Sequence, residues 1–338
     1  KNGTTGALLI FFLSRTDVFI MSFLKNIIKP VIPSKFWNDL RKKQILSKHK
    51  KIADFWNPII NDYLSGRLEK YPLRAKRTFP TSKIIWQYWG QGLDANNMPE
   101  IVHICFDSVD RYKGEYKVIR LDDAMISEYI DLPDFVWERR KNQQFTRTFF
   151  SDLLRVALLS TYGGVWLDAT ILLTGKLPKE YEDLDFFMYQ RSEAEPNKTY
   201  WENTYAYYFG WDIDYKVRVL NSVIFARRNN EIISSLKDLL LHFWKTQEYI
   251  PDYFCFQILF NELIVEKCPE RNCPIVSDCI PHLFQTKINN GNYGHMSYEQ
   301  IIALTPIHKM SYYDAKALSR LKGILKHYET CLPNHCPS

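Results

Sequence analysis

The stretch from Phe149 to Thr170 carries the residues whose types and spacing best allow chemistry: Asp152 and Arg155, then Gly163-Gly164, then Val165-Trp166-Leu167 running into Asp168-Ala169-Thr170. On a helix, positions three apart are neighbours. Asp152 and Arg155 would therefore share a face near its N-terminus, beside an apolar stripe of Leu154, Ala157, Leu158 and Thr161. Gly163 is placed to end that helix as a left-handed cap. Val165-Trp166-Leu167 then reads as a short buried strand that delivers Asp168 at its C-terminal end, where α/β sheets present ligands. An acid there invites a cation, and a divalent ion bridging phosphate oxygens would stabilise the charge on a departing nucleoside diphosphate. Mg²⁺ takes one or two carboxylates plus substrate phosphates and water, so Asp168 with help from elsewhere suffices. Arg155 suits a phosphate or a sugar hydroxyl, and Asp152 can accept hydrogen bonds from donor-sugar hydroxyls. The same spacing also permits a plain intrahelical Asp152–Arg155 pair and an Asp168 that caps a turn.

The elements that must position these residues follow from the flanking sequence. Lys83-Ile84-Ile85-Trp86-Gln87-Tyr88-Trp89 is a β-rich run closed by Gly90 and Gly92, a helix is expected after Pro99, and a second strand at Tyr116 to Leu121. Asp122 and Asp123 are expected to cap another helix. This β-α-β alternation predicts a mostly parallel sheet covered by helices. Further strands are expected at Leu184 to Tyr189, Asn221 to Ala226 and Pro274 to Ser277, with helices near 230–246 and 253–267. Trp86, with Gln87, sits at the end of the first strand, where a ring could stack on a nucleotide base or equally fill the core. Asp252 and Gln257 open an aromatic helix that could face an acceptor, although Asp252 could equally be an N-cap. Asn221 joins them as a candidate catalytic residue.

The 338 residues are 46% hydrophobic and 15% aromatic, enough for one large α/β domain with appendages. A net charge of +6 is too weak to argue for nucleic acid, and none is expected as a partner. The seven cysteines form no regular framework, so reduced thiols in a cytoplasm are expected. Cys268-x4-Cys273 and Cys331-x4-Cys336, the latter with His335, lack the tighter gaps of zinc knuckles. Ala7 to Leu13 is apolar but is cut at Ser14-Arg15-Thr16-Asp17, well short of the roughly 20 residues that span a bilayer, so neither a membrane helix nor a signal peptide is read there. Residues 1–20 are taken as upstream of the fold. From Met21 to Lys51 nine Lys/Arg and one acidic residue alternate with apolar ones. That composition suits peripheral contact with an anionic membrane, or a helical extension packing its apolar side on the main domain. The expected organisation is a basic helical extension over 21–79, a main domain over 80–330 and a tail over 331–338.

The Asp152 to Thr170 stretch resembles the sugar-binding DXD region of family 32 glycosyltransferases, in particular their capsular polysaccharide synthesis branch. The resemblance extends to Lys83–Gly90, Ser108-Val109, Tyr116–Ile119 and Asn221–Ala226. It implies an α/β fold of the GT-A type, a nucleotide-sugar donor with UDP favoured, a glycan or lipid-linked saccharide acceptor, Mn²⁺ or Mg²⁺, and retention of anomeric configuration. Asp152 and Arg155 match donor-sugar positions and Asp168 the first acid of the DXD motif, while Thr170 stands where many relatives have Asp. With the donor side go Trp86, Gln87 and Gly164. With the metal go Asp168, Thr170 and His308, because relatives of this fold return a C-terminal residue to the metal or diphosphate; a surface histidine is the alternative at 308. The capsular branch implies work at the inner face of the cell membrane. Two rivals from other classes remain: a phosphohydrolase, which wants a second acid where Thr170 stands, and a non-catalytic carbohydrate-binding scaffold of transferase-like fold.

Overall fold

The computed structural model describes residues 34–331, apart from 292 and 294. The segment 1–33, and with it the first half of the basic stretch, lies outside the described residues, as do His335 and Cys336.

A long helix, α1 (Ser34–Leu64), opens the chain. Ile45, His49, Ile52, Ala53, Trp56 and Ile60 recur at three- and four-residue steps and are buried, so one stripe of α1 joins the same core as the central sheet. Trp56 Nε1 donates to the Cys255 carbonyl at 3.2 Å, which ties α1 to a segment some 200 residues further along the chain. There follow β1 (Ile84–Tyr88), α2 (Glu100–Tyr112), β2 (Lys117–Leu121), α3 (Asp134–Arg140), α4 (Arg147–Tyr162), β3 (Gly164–Leu167), β4 (Ile171–Leu173), α5 (Lys179–Glu182) and β5 (Phe186–Gln190). The remainder is α6 (Lys198–Thr204), β6 (Val219–Ala226), α7 (Glu231–Thr246), α8 (Cys255–Phe260), α9 (Leu283–Ile288), α10 (Tyr298–Leu304), β7 (Ile307–Lys309) and α11 (Ala315–Cys331).

The central sheet runs in the order β2-β1-β3-β6-β5. β1 pairs in parallel with β2 and β3, whereas β6 runs antiparallel to both β3 and β5, giving a mostly parallel sheet with one reversed strand. Every residue of β1 and β6 is buried, which is what helices on both faces impose on central strands. A second, two-stranded ladder joins β4 to β7 antiparallel and brings the chain near residue 308 back to residue 172.

Three expectations are corrected. No α-helix starts at Asp122; its carboxylate instead accepts the Ala124 and Met125 N–H groups in a turn that leads only to a short 3₁₀ segment, Ile126–Glu128. Pro274 to Ser277 forms no strand, and only Ser277 makes a bridge, to Gln190. The helix expected over 253–267 splits into α8 and a π-helical stretch, Asn261–Lys267.

The α4–β3 junction needs two glycines for backbone reasons. Gly163 ends α4 with φ +75° and ψ −166°, a region outside the left-handed helical well and essentially open to glycine alone. At Gly164, φ is +102° and a Cβ would lie 2.4 Å from the Ile84 carbonyl oxygen, so the absence of a side chain lets β3 close on β1. Gly164→Ala should therefore destabilise the fold by about 3 kcal/mol or more, whereas Gly66→Ala, with φ +73° but nothing near its Cβ, should cost only about 1 kcal/mol. Urea denaturation of the two variants checks the contrast; equal losses would mean that β1 yields to the added methyl.

Candidate active site

α4 leads straight into β3 and so runs back along the sheet, which puts its N-terminal half at the edge where β1, β2 and β3 end. Asp152 and Arg155 lie on that half, Asp168 follows β3, and the reversed strand β6 passes the same edge with Asn221 and Ser222. The Asp168 N–H donates to the Ser222 carbonyl at 2.9 Å, continuing the β3–β6 ladder by one step. Arg155, only 3% exposed, stands at the centre. Its Nε donates to the Ser151 carbonyl at 3.1 Å, Nη2 to Ser151 Oγ at 2.9 Å and Nη1 to the Asn221 carbonyl at 2.9 Å. Nη1 also lies 3.0 Å from Asp152 Oδ1 and Nη2 3.4 Å from Asp168 Oδ1. Three of the five guanidinium N–H donors are thus hydrogen-bonded to Ser151 and Asn221, and the two carboxylates are the ion-pair partners. Arg155, buried and ion-paired on both sides, therefore holds the two carboxylates in place.

The two acids differ in environment. Burial pushes Asp152 up, and neighbouring Asp168 adds to this beyond what Arg155 offsets, so its carboxyl is raised to about 7. Asn221 Nδ2 donates to its Oδ1 at 2.9 Å. Burial also acts on Asp168, but Arg155, Lys309 and hydrogen bonds from Trp166 and Ser222 together hold it below the usual carboxylate range. Trp166 Nε1 donates to Asp168 Oδ1 at 2.7 Å, and a quarter of the Asp168 side chain is open to solvent. One acid that stays ionised beside one that titrates near neutrality is a pairing able to bind cationic or hydroxyl groups and to exchange a proton.

Lys309 completes the cluster, and sequence reasoning passed it over for its neighbour. In the β4–β7 ladder Lys309 lies opposite Ile171, and its Nζ donates to Thr170 Oγ1 at 2.5 Å. Successive strand residues face opposite sides, so His308 points away. The His308 ring is fully buried against Phe284, its Nε2 shares a hydrogen bond with Thr174 Oγ1 at 2.9 Å, and burial lowers its pKa to about 3. His308 is thus neither the surface residue nor the metal ligand that its type suggested. The expected divalent site would draw on Asp168, Thr170 and His308. Of these, only Asp168 offers a carboxylate, the Thr170 hydroxyl is engaged by an ammonium, and His308 faces the other way. Among the described residues no group of three or more His, Cys, Asp or Glu is arranged to hold a metal ion. The described side chains thus form no all-protein cage for Mn²⁺ or Mg²⁺, and of the three expected ligands Asp168 alone could meet a cation carried in by a diphosphate.

The other candidates divide. Asn221 is brought to Asp152. Gln257 is buried on α8 with its Oε1 lacking a hydrogen-bond partner, while the adjacent Phe256 ring lies 5.9 Å from the Arg155 guanidinium carbon. Tyr253, one turn earlier, lies near both acids and Tyr312 near Asp168, so the carboxylate charges raise their pKa values further after desolvation has done so. Asp252 is corrected: its Oδ1 accepts the Phe254 N–H at 2.9 Å and its Oδ2 pairs with Lys48 of α1 at 3.3 Å, a turn and a tether. Trp86 is a core residue, 0% exposed, its Nε1 donating to the Gly163 carbonyl at 3.0 Å and its ring packed against Phe79, Tyr129 and Tyr162. No face of that ring is open to a base. Trp89, just past β1, is the half-buried ring at that strand end, and locating the strand's end at Tyr88 would have pointed to it. Gln87 is fully buried with its Oε1 accepting from Arg120 Nε at 3.0 Å. Gly164 lies at the opposite end of β3 from Asp168, roughly 13 Å away at about 3.3 Å per residue, so its part is packing and not donor contact.

A family model described as capsular polysaccharide synthesis protein matches residues 35–328. The O-glycosyltransferase PaGT of Phomopsis amygdali is 25% identical over 178 residues, 48% of this chain and 39% of that protein. The glycosyltransferase afumC of Aspergillus fumigatus is 26% identical over 171 residues, 47% of this chain and 40% of that one. The match thus spans about two fifths of each relative's length. Among solved structures, the PaToxG glycosyltransferase aligns with 69% of this chain and 83% of its own at 16% identity and a TM-score of 0.32.

Asp152 gives the site a pH signature. Its pKa in the folded protein, about 7, lies above the ordinary 3.8, so the folded state binds this proton more tightly than the unfolded chain. The stability due to that proton is fully present below about pH 4 and is lost as pH rises through about 7. Asp152→Asn cannot titrate, so its stability relative to wild type should climb steadily between those limits, as measured by urea midpoints at several pH values. A pH-independent difference would mean that Asp152 is ionised throughout.

Proposed function

Because the chain belongs to the family of capsular polysaccharide synthesis proteins, we propose that it is a glycosyltransferase of GT-A type. It moves a hexosyl unit from a nucleoside-diphosphate sugar, UDP favoured, to a glycan or lipid-linked saccharide in the synthesis of a capsular or other surface polysaccharide. The observation that carries this is the pair of unlike acids, Asp152 and Asp168, fixed by one arginine at the C-terminal edge of a mostly parallel sheet, where such sheets receive ligands. The two fungal relatives, both glycosyltransferases, support it.

In this reading Asp152 and Asn221 take hydrogen bonds from the donor-sugar hydroxyls and orient C1. Asp168, ionised, fixes the sugar edge nearest the diphosphate. Trp89 offers a ring to the base, while Gln257, whose oxygen wants a donor, and the phenols of Tyr253 and Tyr312 receive the acceptor. The C1–O bond breaks with its electron pair left on the β-phosphate oxygen. The acceptor hydroxyl oxygen bonds to C1 and gives its proton to the departing phosphate on the same face, which retains configuration. No step is routed through a divalent ion, since the described residues form no protein cage for one.

Whereas Lys42 turns inward to pair with Asp212 at 2.8 Å, exposed Lys43 and Lys51 lie on the outer side of α1. They support a proposed contact of residues 21–51 with an anionic membrane at the inner face of the cell envelope, where a lipid-linked acceptor would be met. Among the described residues no helix is long and apolar enough to cross a membrane.

Calorimetric titration with UDP, GDP and their hexose conjugates tests the donor site. One base should be selected, and Asp168→Ala should weaken its sugar conjugate by at least about tenfold. A folded protein that binds none of them would be a scaffold that keeps the fold without the chemistry.

A further inference from the structure

We infer that the ammonium of Lys309 is the cation that meets the leaving diphosphate, and that donor binding therefore does not depend on a divalent metal. This rests on the transferase reading above and adds the group that neutralises its leaving charge. Arg155, the other cation of the cluster, is only 3% exposed, hydrogen-bonded to Ser151 and Asn221 and ion-paired with both acids, so its charge is already engaged within the protein. An ammonium has three N–H donors, and the one hydrogen bond seen for Lys309 goes to Thr170 Oγ1. Thr170 stands two residues after Asp168, where a second carboxylate would complete an acidic pair for a metal. Here a hydroxyl stands there and accepts from a lysine. The β4–β7 register, Ile171 opposite Lys309, fixes that lysine beside Asp168 through the backbone and not through a flexible loop.

Charge balance points the same way. Asp152 and Asp168 face Arg155 and Lys309, a set of two acids and two bases. With both acids ionised the two cations balance them, and with Asp152 protonated they outnumber the one carboxylate left, so a divalent ion would find no uncompensated carboxylate here. A diphosphate, by contrast, brings the negative charge that Lys309 can share between substrate and Asp168. As the C1–O bond breaks, the electron pair and its charge settle on the β-phosphate oxygen, and the ammonium stabilises that charge without giving up a proton.

The test is calorimetry with UDP, UMP and uridine, and the guanosine series in parallel, in EDTA and in Mn²⁺, on wild type, Lys309→Met and Lys309→Arg, with thermal midpoints confirming that each is folded. In EDTA, wild type should bind the diphosphate at least about tenfold tighter than the nucleoside. K309M should lose that margin with nucleoside affinity unchanged, and K309R should keep most of it. Mn²⁺ alone should not bind wild type, whereas the double variant T170D/K309M should acquire a Mn²⁺ signal by electron paramagnetic resonance. Diphosphate binding that requires Mn²⁺ in wild type, or that survives intact in K309M, would overturn the inference while leaving the donor site standing. Absence of binding by every nucleotide in both buffers would instead remove the transferase reading, and the role of Lys309 with it.

Discussion

The guanidinium of Arg155 is the constraint around which the site is organised. It is nearly inaccessible to water, and a charge in that position is tolerable only if its hydrogen-bonding capacity is filled. Filling it requires α4 to present Ser151 one turn earlier, β6 to bring the Asn221 carbonyl across the sheet edge, and two carboxylates to arrive from different elements. A planar donor fork with fixed angles transmits one geometry to all of these partners, which a lysine could not do. The buried strands and the α4 stripe hold the helix at the depth where this works, and the tight Gly163-Gly164 turn sets where the following strand begins. The order of dependence runs from core packing to one arginine, and from that arginine to two acids of unlike protonation.

Much of this was legible in the sequence because it is local. The Asp152–Arg155 spacing is a helix-face relation, and Val165-Trp166-Leu167 followed by Asp168 is a buried strand with an acid at its end; both follow from periodicities of a few residues. What failed were choices between adjacent residues whose side chains point opposite ways or sit either side of an element's end. His308 and Lys309 share a strand of three residues, too short for alternation to declare which side faces the acids. Trp86 and Trp89 sit in one aromatic run, and only the end of β1 at Tyr88 separates a core ring from one at the rim. Asp252 carried two roles in the sequence, and its Asx turn with the Lys48 tether decides for the structural one.

The β4–β7 ladder escaped sequence reasoning for a related cause: six residues in two pieces, more than 130 positions apart, carry no pattern of their own. Its value is in what it joins. The second hydrophobic cluster, built from Ile101, Val102 and Phe106 of α2 together with Leu172, Phe284 and Met310, seats this ladder and so sets the depth of Lys309 beside Asp168. The helix α1 does a comparable service on the other side, where Trp56 and Ile60 pack into the main core next to α8. The family match begins within α1, in keeping with a helix that belongs to the folded unit.

That ladder also imposes an order of assembly. A chain emerging from the ribosome contains Asp152, Arg155, Asp168 and Asn221 long before residues 307–309 are made. Until then the two acids share one guanidinium, and the pocket has no second cation. The last tenth of the polypeptide thus acts as the closing clasp, and a nascent or C-terminally clipped chain would hold the acids of the site without the lysine that the ladder brings beside them.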